Sequence, residues 1–130
     1  MVHYVDTSAL VKLVVAEPET AGLRAWLAET EPTLVAADLV RTELVRAARR
    51  SAPDRLVAAR GVLDGVVLIS VSTAMFEAAG RLDPPEMRSL DAIHLATALE
   101  LGDELEGIVA YDERLAHAAR ANGIPVVSPA

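Results

Sequence analysis

The chain has 130 residues, 52% of them hydrophobic, with 19 acids against 12 Lys and Arg and a net charge of −7. That length suits a single domain, residues 1–130, with a proper core, and the hydrophobic content excludes a disordered chain. The acidic balance argues against a broad nucleic-acid-binding surface, and the absence of Cys excludes disulfides and thiolate metal sites.

No apolar run approaches bilayer length, and no basic-then-apolar start marks a secretory signal. A cytoplasmic protein with no membrane contact is the simplest expectation. His3-Tyr4-Val5 is a short β-favouring run ending at Asp6. Ala9, Leu10, Leu13 and Val14 then recur at helical spacing until Pro18. A second helix is predicted from Glu19 to Ala28, with Leu23, Trp26 and Leu27 inward. Thr33 to Ala37 reads as a strand, and Asp38 is placed to cap a helix running through Leu44 towards Arg50. Pro53 and Asp54 open another helix towards Leu63. Val66 to Ile69 is continuously apolar, as in a strand covered on both faces.

Ser72 or Thr73 caps a helix through Phe76 and Ala79, which stops near Asp83-Pro84-Pro85. Ser89 starts a helix that Gly102 ends. Gly107 to Tyr111 forms a strand ending in Asp112, and the helix from Glu113 closes at Asn122-Gly123. Ile124 to Val127 is the last strand. Strands alternating with helices predict an α/β fold with a mostly parallel sheet covered on both faces. In such sheets ligands gather at the carboxyl ends of the strands, where strand order reverses. Asp6 and Asp112 both fall at such ends.

Each acid has a plain structural alternative. Asp6 and Asp112 could cap the helices that follow them, and Asp91 could serve the dipole of its helix from the first turn. Glu43 shares a face with Leu39, Val40 and Ala47, where an acid needs a partner; Arg46 could be that partner. Together the four make chemical sense. Carboxylates at about 4 Å repel by about 4 kcal/mol at an effective dielectric near 20. A hard divalent cation resolves that conflict, and an all-oxygen set suits Mg²⁺ or Mn²⁺ rather than zinc.

The segments Tyr4-Val5-Asp6-Thr7-Ser8-Ala9-Leu10, Arg41-Thr42-Glu43-Leu44, Leu90-Asp91-Ala92-Ile93-His94-Leu95-Ala96 and Tyr111-Asp112-Glu113-Arg114-Leu115 resemble, in order, the four acidic motifs of PIN-domain ribonucleases. In length and wording they are most similar to VapC-type toxins of bacterial toxin–antitoxin pairs. The resemblance covers nearly the whole chain. It implies a three-layer α/β/α fold with a five-stranded sheet of order 3-2-1-4-5. It also implies a Mg²⁺- or Mn²⁺-dependent endoribonuclease, with Asp6, Glu43, Asp91 and Asp112 as metal-binding acids and a cation-activated water as nucleophile. Thr7 and Ser8 match the hydroxyl positions beside the first acid, which would bond the acids or a substrate phosphate. The implied partners are RNA, a small VapB-type antitoxin and a second copy of the chain. Tyr111 and Leu115 depart from the Thr and Phe commoner around the fourth acid. A housekeeping RNA-processing nuclease and an inactive PIN-like binding protein are the alternatives.

The remaining polar residues have plainer readings. His94, one turn beyond Asp91, reads as a histidine at the edge of the core, and His3 and His117 stand isolated. Arg114 beside Asp112 is a candidate phosphate contact. Arg41, Arg46, Arg49, Arg50, Arg55 and Arg60 form one basic region, read first as a solvated face and second as a contact to an RNA backbone.

Overall fold

The computed structural model describes residues 1–130. Its strands are β1 (Val2–Val5), β2 (Thr33–Ala37), β3 (Val67–Ile69), β4 (Leu105–Val109) and β5 (Val126–Val127). Between them run α1 (Thr7–Lys12) and α2 (Thr20–Thr30), then α3 (Val40–Ser51) and α4 (Leu56–Asp64), then α5 (Thr73–Gly80) and α6 (Ser89–Leu99), and finally α7 (Glu113–Ala121). A short 3-10 turn at Pro53–Arg55 joins α3 to α4, because proline supplies the first-turn φ without needing a donor.

All four strand pairings are parallel, and the sheet order is β3-β2-β1-β4-β5. The chain moves outward from β1 to β2 and β3, then returns to place β4 on the other side of β1. Strand order therefore reverses between β1 and β4, the place where such sheets open a ligand crevice. The Asp6 N–H still donates to the Val109 carbonyl at 3.0 Å, which holds the start of that crevice to the sheet. Gly107 lets β4 lie close to the last segment. A Cβ there would stand 2.9 Å from the Pro125 carbonyl oxygen.

The core is contiguous. Tyr4, Leu10, Leu23, Leu44, Leu95, Ile108 and Leu115 are all fully buried, drawn from β1, β4 and five helices. A satellite cluster of Ala79, Ala92 and Ala96 packs α5 against α6, where small residues permit close approach. Ser72 caps α5, its Oγ accepting from the Met75 N–H. Gly123 takes a left-handed φ of +76° just after α7, the conformation that a helix-ending glycine adopts without strain. No helix is long and apolar enough to cross a membrane.

Two local expectations are corrected. The Val66–Ile69 run is not covered on both faces. It forms the edge strand β3, and Val67 is 55% exposed. An apolar run reports burial on average and cannot by itself separate a central strand from an edge. Asp38 does not cap α3 either. Leu39 occupies the cap position with no side-chain bond, and Asp38 instead pairs with Arg41 at 3.0 Å.

His3 lies buried in β1 against the edge of the half-buried Trp26 ring, at 5.0 Å between centroids. Its Nδ1 has no hydrogen-bond partner. Burial is the main cause of a lowered pKa for this imidazole. A lowered folded-state pKa means that the unfolded chain binds the proton first, so stability falls as pH drops below the ordinary histidine value of about 6.5. His3→Phe keeps the ring contact and removes that proton. Its melting temperature should therefore fall less than the wild type's between pH 7 and pH 5; parallel curves would refute the assignment.

Candidate active site

The loop that follows β1 builds the first part of the site. Asp6 has extended backbone and caps α1, with its Oδ2 accepting from the Ser8 N–H at 3.2 Å and the Ser8 hydroxyl at 2.7 Å. Ser8 in turn accepts from the Tyr111 N–H at 2.9 Å, which ties the loop after β4 to the loop after β1. Asp6 is only 7% exposed, and its Oδ1 makes no hydrogen bond, lying 3.8 Å from His94 Nε2.

Glu43 sits in the first turn of α3 and is half-buried. The Arg46 pairing available to it in sequence does not form. Its Oε1 accepts from the Thr7 hydroxyl and from His94 Nε2–H, each at 2.8 Å. Asp91 stands in the first turn of α6, and its carboxylate makes no hydrogen bond. Asp112 is exposed and caps α7, its Oδ1 accepting from the N–H groups of Arg114 at 2.8 Å and Leu115 at 3.3 Å.

His94 is the residue that sequence reading underrated. It is 1% exposed and lies within the site rather than beside it. The Ala37 N–H donates to the Tyr4 hydroxyl at 2.9 Å, leaving the Tyr4 proton for His94 Nδ1 at 2.6 Å and the Nε2 proton for Glu43. That assignment of the neutral ring satisfies every polar atom in the chain of bonds. Burial taken alone would lower the His94 pKa. The hydrogen bond to Glu43 and the charges of Asp6, Glu43 and Asp91 outweigh it and raise the pKa overall. Burial likewise raises the Tyr4 pKa, keeping the phenol protonated. A signal existed in the sequence: Tyr4 shares a strand face with Asp6 at spacing two, and His94 shares a helix face with Asp91 at spacing three.

Electrostatics link the acids across the crevice. Asp91 has a raised pKa, caused first by burial and then by the negative charges of Asp112 and Asp6. Carboxylate oxygens free of hydrogen bonds remain on all four acids: Asp6 Oδ1, Glu43 Oε2, both oxygens of Asp91, and Asp112 Oδ2. As the side chains stand, no three acidic or histidine groups are close enough to hold a metal ion. Their donor type fits a hard cation.

Lys12 lies on the far side of Tyr111. It is buried between Glu17 and Glu19, at 3.5 and 3.3 Å, and its Nζ sits 4.6 Å from the Tyr111 ring centre. Tyr111, which departs from the family wording, thus packs on a cation while its backbone holds Ser8. Arg114 is exposed in the first turn of α7 and makes no salt bridge.

The family model described as "PIN domain" matches residues 3–121. Ribonuclease VapC46 of Mycobacterium tuberculosis is 41% identical over 126 residues, covering 97% of this chain and 96% of that protein. Ribonuclease VapC47 of the same species is 40% identical with the same coverage. In fold, the chain superposes on Mycobacterium tuberculosis VapC20, described as a sarcin-ricin loop cleaving toxin. The TM-score is 0.79 at 21% identity, covering 99% of this chain and 100% of that one. A toxin–antitoxin complex from Klebsiella pneumoniae matches with a TM-score of 0.73 at 22% identity, covering 98% of each chain. With the family model spanning nearly the whole chain and relatives near 40% identity along their full length, the chain belongs to the PIN domain family, in its VapC ribonuclease branch.

Proposed function

We propose that the protein is a Mg²⁺- or Mn²⁺-dependent endoribonuclease and the toxin of a toxin–antitoxin pair. Its partners are RNA, a small VapB-type antitoxin and a second copy of the chain. The observation that carries this reading is the convergence on His94, whose Nε2 stands 3.8 Å from Asp6 and 2.8 Å from Glu43, of acids from separate motifs beside the reversal of strand order. Relatives named as ribonucleases at about 40% identity supply the reaction class.

Asp6, Glu43, Asp91 and Asp112 would hold the cation through the oxygens that the fold leaves free. Bound there, it would lower the pKa of the attacking water and offset the charge that builds on the phosphodiester. The chain's own groups have separate tasks. Thr7 and His94 hold Glu43 through Oε1, so that Oε2 stays free of hydrogen bonds. Ser8 does the same for Asp6, bonding Oδ2 and leaving Oδ1 unbonded. Arg114, unpaired at the crevice mouth, would contact the substrate phosphate.

An ion held by four acids from separate elements would bind the folded protein and not the unfolded chain. Mg²⁺ or Mn²⁺ should therefore raise the melting temperature, by an amount equivalent to about 2.7 kcal/mol at a hundredfold excess over Kd. Cleavage of total RNA should stop in EDTA and return with either ion. A flat melting response up to millimolar ion, or cleavage undiminished by chelation, would refute the metal assignment.

A further inference from the structure

Asp91 lines a surface cavity of about 570 Å³ that extends away from the other three acids. One wall is the segment from Pro84 to Arg88, ahead of α6; the other is the face of α7 bearing Arg114, His117 and Ala118. Resting on the nuclease reading, we propose that Arg88, Arg114 and His117 form a subsite that grips the RNA strand next to the cleaved bond, with the guanidinium groups on phosphate and the imidazole against a base.

Three features carry this. First, Arg88 and Arg114 stand on opposite walls, both exposed, and neither makes a salt bridge, although the Arg88 charge acts on Asp91 from a distance. Guanidinium groups left unpaired in an acidic protein are available for an anion, and their planar forks match phosphate oxygens. Second, the cleft is held in shape. The Asn122 side-chain amide donates to the Asp83 carbonyl and the Ala118 carbonyl, each at 2.9 Å, which pins the wall ahead of α6 to α7. Third, size and lining suit a nucleotide. The volume lies in the usual range for ligand sites of about 300–1,000 Å³. Met87 and Pro84 provide apolar surface, and His117 provides a ring on which an unstacked base can rest. Glu86, Asp91 and Glu113 also line the cleft, three acids against two arginines, so it exerts no general attraction on RNA. Binding there must come from individual contacts.

At a net charge of −7 the protein gains little from general attraction to RNA, so the loss of a single cation in the cleft should be measurable. The test uses full-length protein carrying Asp6→Asn to prevent cleavage. Filter binding is measured against end-labelled, size-selected fragments of total bacterial RNA over a salt series. Arg88→Ala should weaken binding five- to tenfold and reduce the slope of log K against log salt by about 0.7, the loss of one single-strand phosphate contact. Arg88→Lys should keep the slope. His117→Ala, at pH 8, should weaken binding with the slope unchanged. Arg24→Ala, exposed on α2 and outside the cleft, is the control. Unchanged affinity and slope in both Arg88→Ala and His117→Ala, with the parent binding RNA and the wild type cleaving the same pool, would overturn the subsite alone. A wild type that neither binds nor cleaves that pool would overturn the nuclease reading and the subsite with it.

Discussion

Asp6→Asn is expected to lower RNA cleavage by about 10²- to 10³-fold while leaving the metal-free protein at least as stable as wild type. The two effects have separate causes. A cation that offsets transition-state charge is worth several kcal/mol, and each 1.36 kcal/mol is a factor of about ten in rate. Asp6 is the acid nearest the strand-order reversal, with Oδ1 unbonded and facing His94. Without its charge, a cation held there would lose one of its four carboxylates. Folding, by contrast, needs only an acceptor at that position. Asn caps helices about as well as Asp, and its side-chain oxygen can take the Ser8 N–H and hydroxyl that Oδ2 takes now. Removing one negative charge also relieves the repulsion felt at Asp91. Melting curves without divalent ions, and initial cleavage rates with Mn²⁺, check both halves. Full activity in the variant would remove Asp6 from the catalytic set. A large loss of stability would mean that the charge itself is structural.

His94→Leu is expected to do the opposite, lowering stability first and activity as a consequence. The replacement keeps apolar bulk in a site that is 1% exposed, but it deletes both partners of the ring. The Tyr4 hydroxyl proton is then buried without an acceptor, and Glu43 keeps only Thr7. Stranding a buried polar group costs about 1–3 kcal/mol. For a domain of this size that is a fall in melting temperature of about 4–12 °C, taking about 4 °C per kcal/mol. Glu43, held from one side only, should also bind the cation more weakly. The Mn²⁺ concentration for half-maximal cleavage should therefore rise in His94→Leu. A structural role restricted to the core would leave that concentration unchanged. Adding Tyr4→Phe tests the relay directly, because the two substitutions should be non-additive if the hydroxyl and the ring act as one chain of bonds.

Much of the architecture was legible from local pattern. Helix capping by Asp6, Ser72 and Asp112, the proline opening ahead of α4, and the glycine closing α7 all appear where the residue types call for them. Such features depend on neighbours within one turn of chain, which a linear reading contains. Asp38 was misread for the same reason. Asp is a good cap, but Arg41 offered an equally near charge, and local sequence does not rank the two. The edge position of β3 was also invisible, because an apolar run carries no record of how many strands flank it.

Sequence alone determined which residue types could do chemistry and where along the chain they would fall: an acid after β1, another after β4, one in the first turn of a helix and one on an apolar helix face. The tertiary structure decided which carboxylate oxygens are already bonded and which are free. It turned His94 from a core histidine into the link between Tyr4 and Glu43, and it set Arg88 opposite Arg114 across a cleft. Those pairings join residues tens of positions apart. They arise from how crossover helices pack on a parallel sheet, a long-range distance that no local propensity encodes.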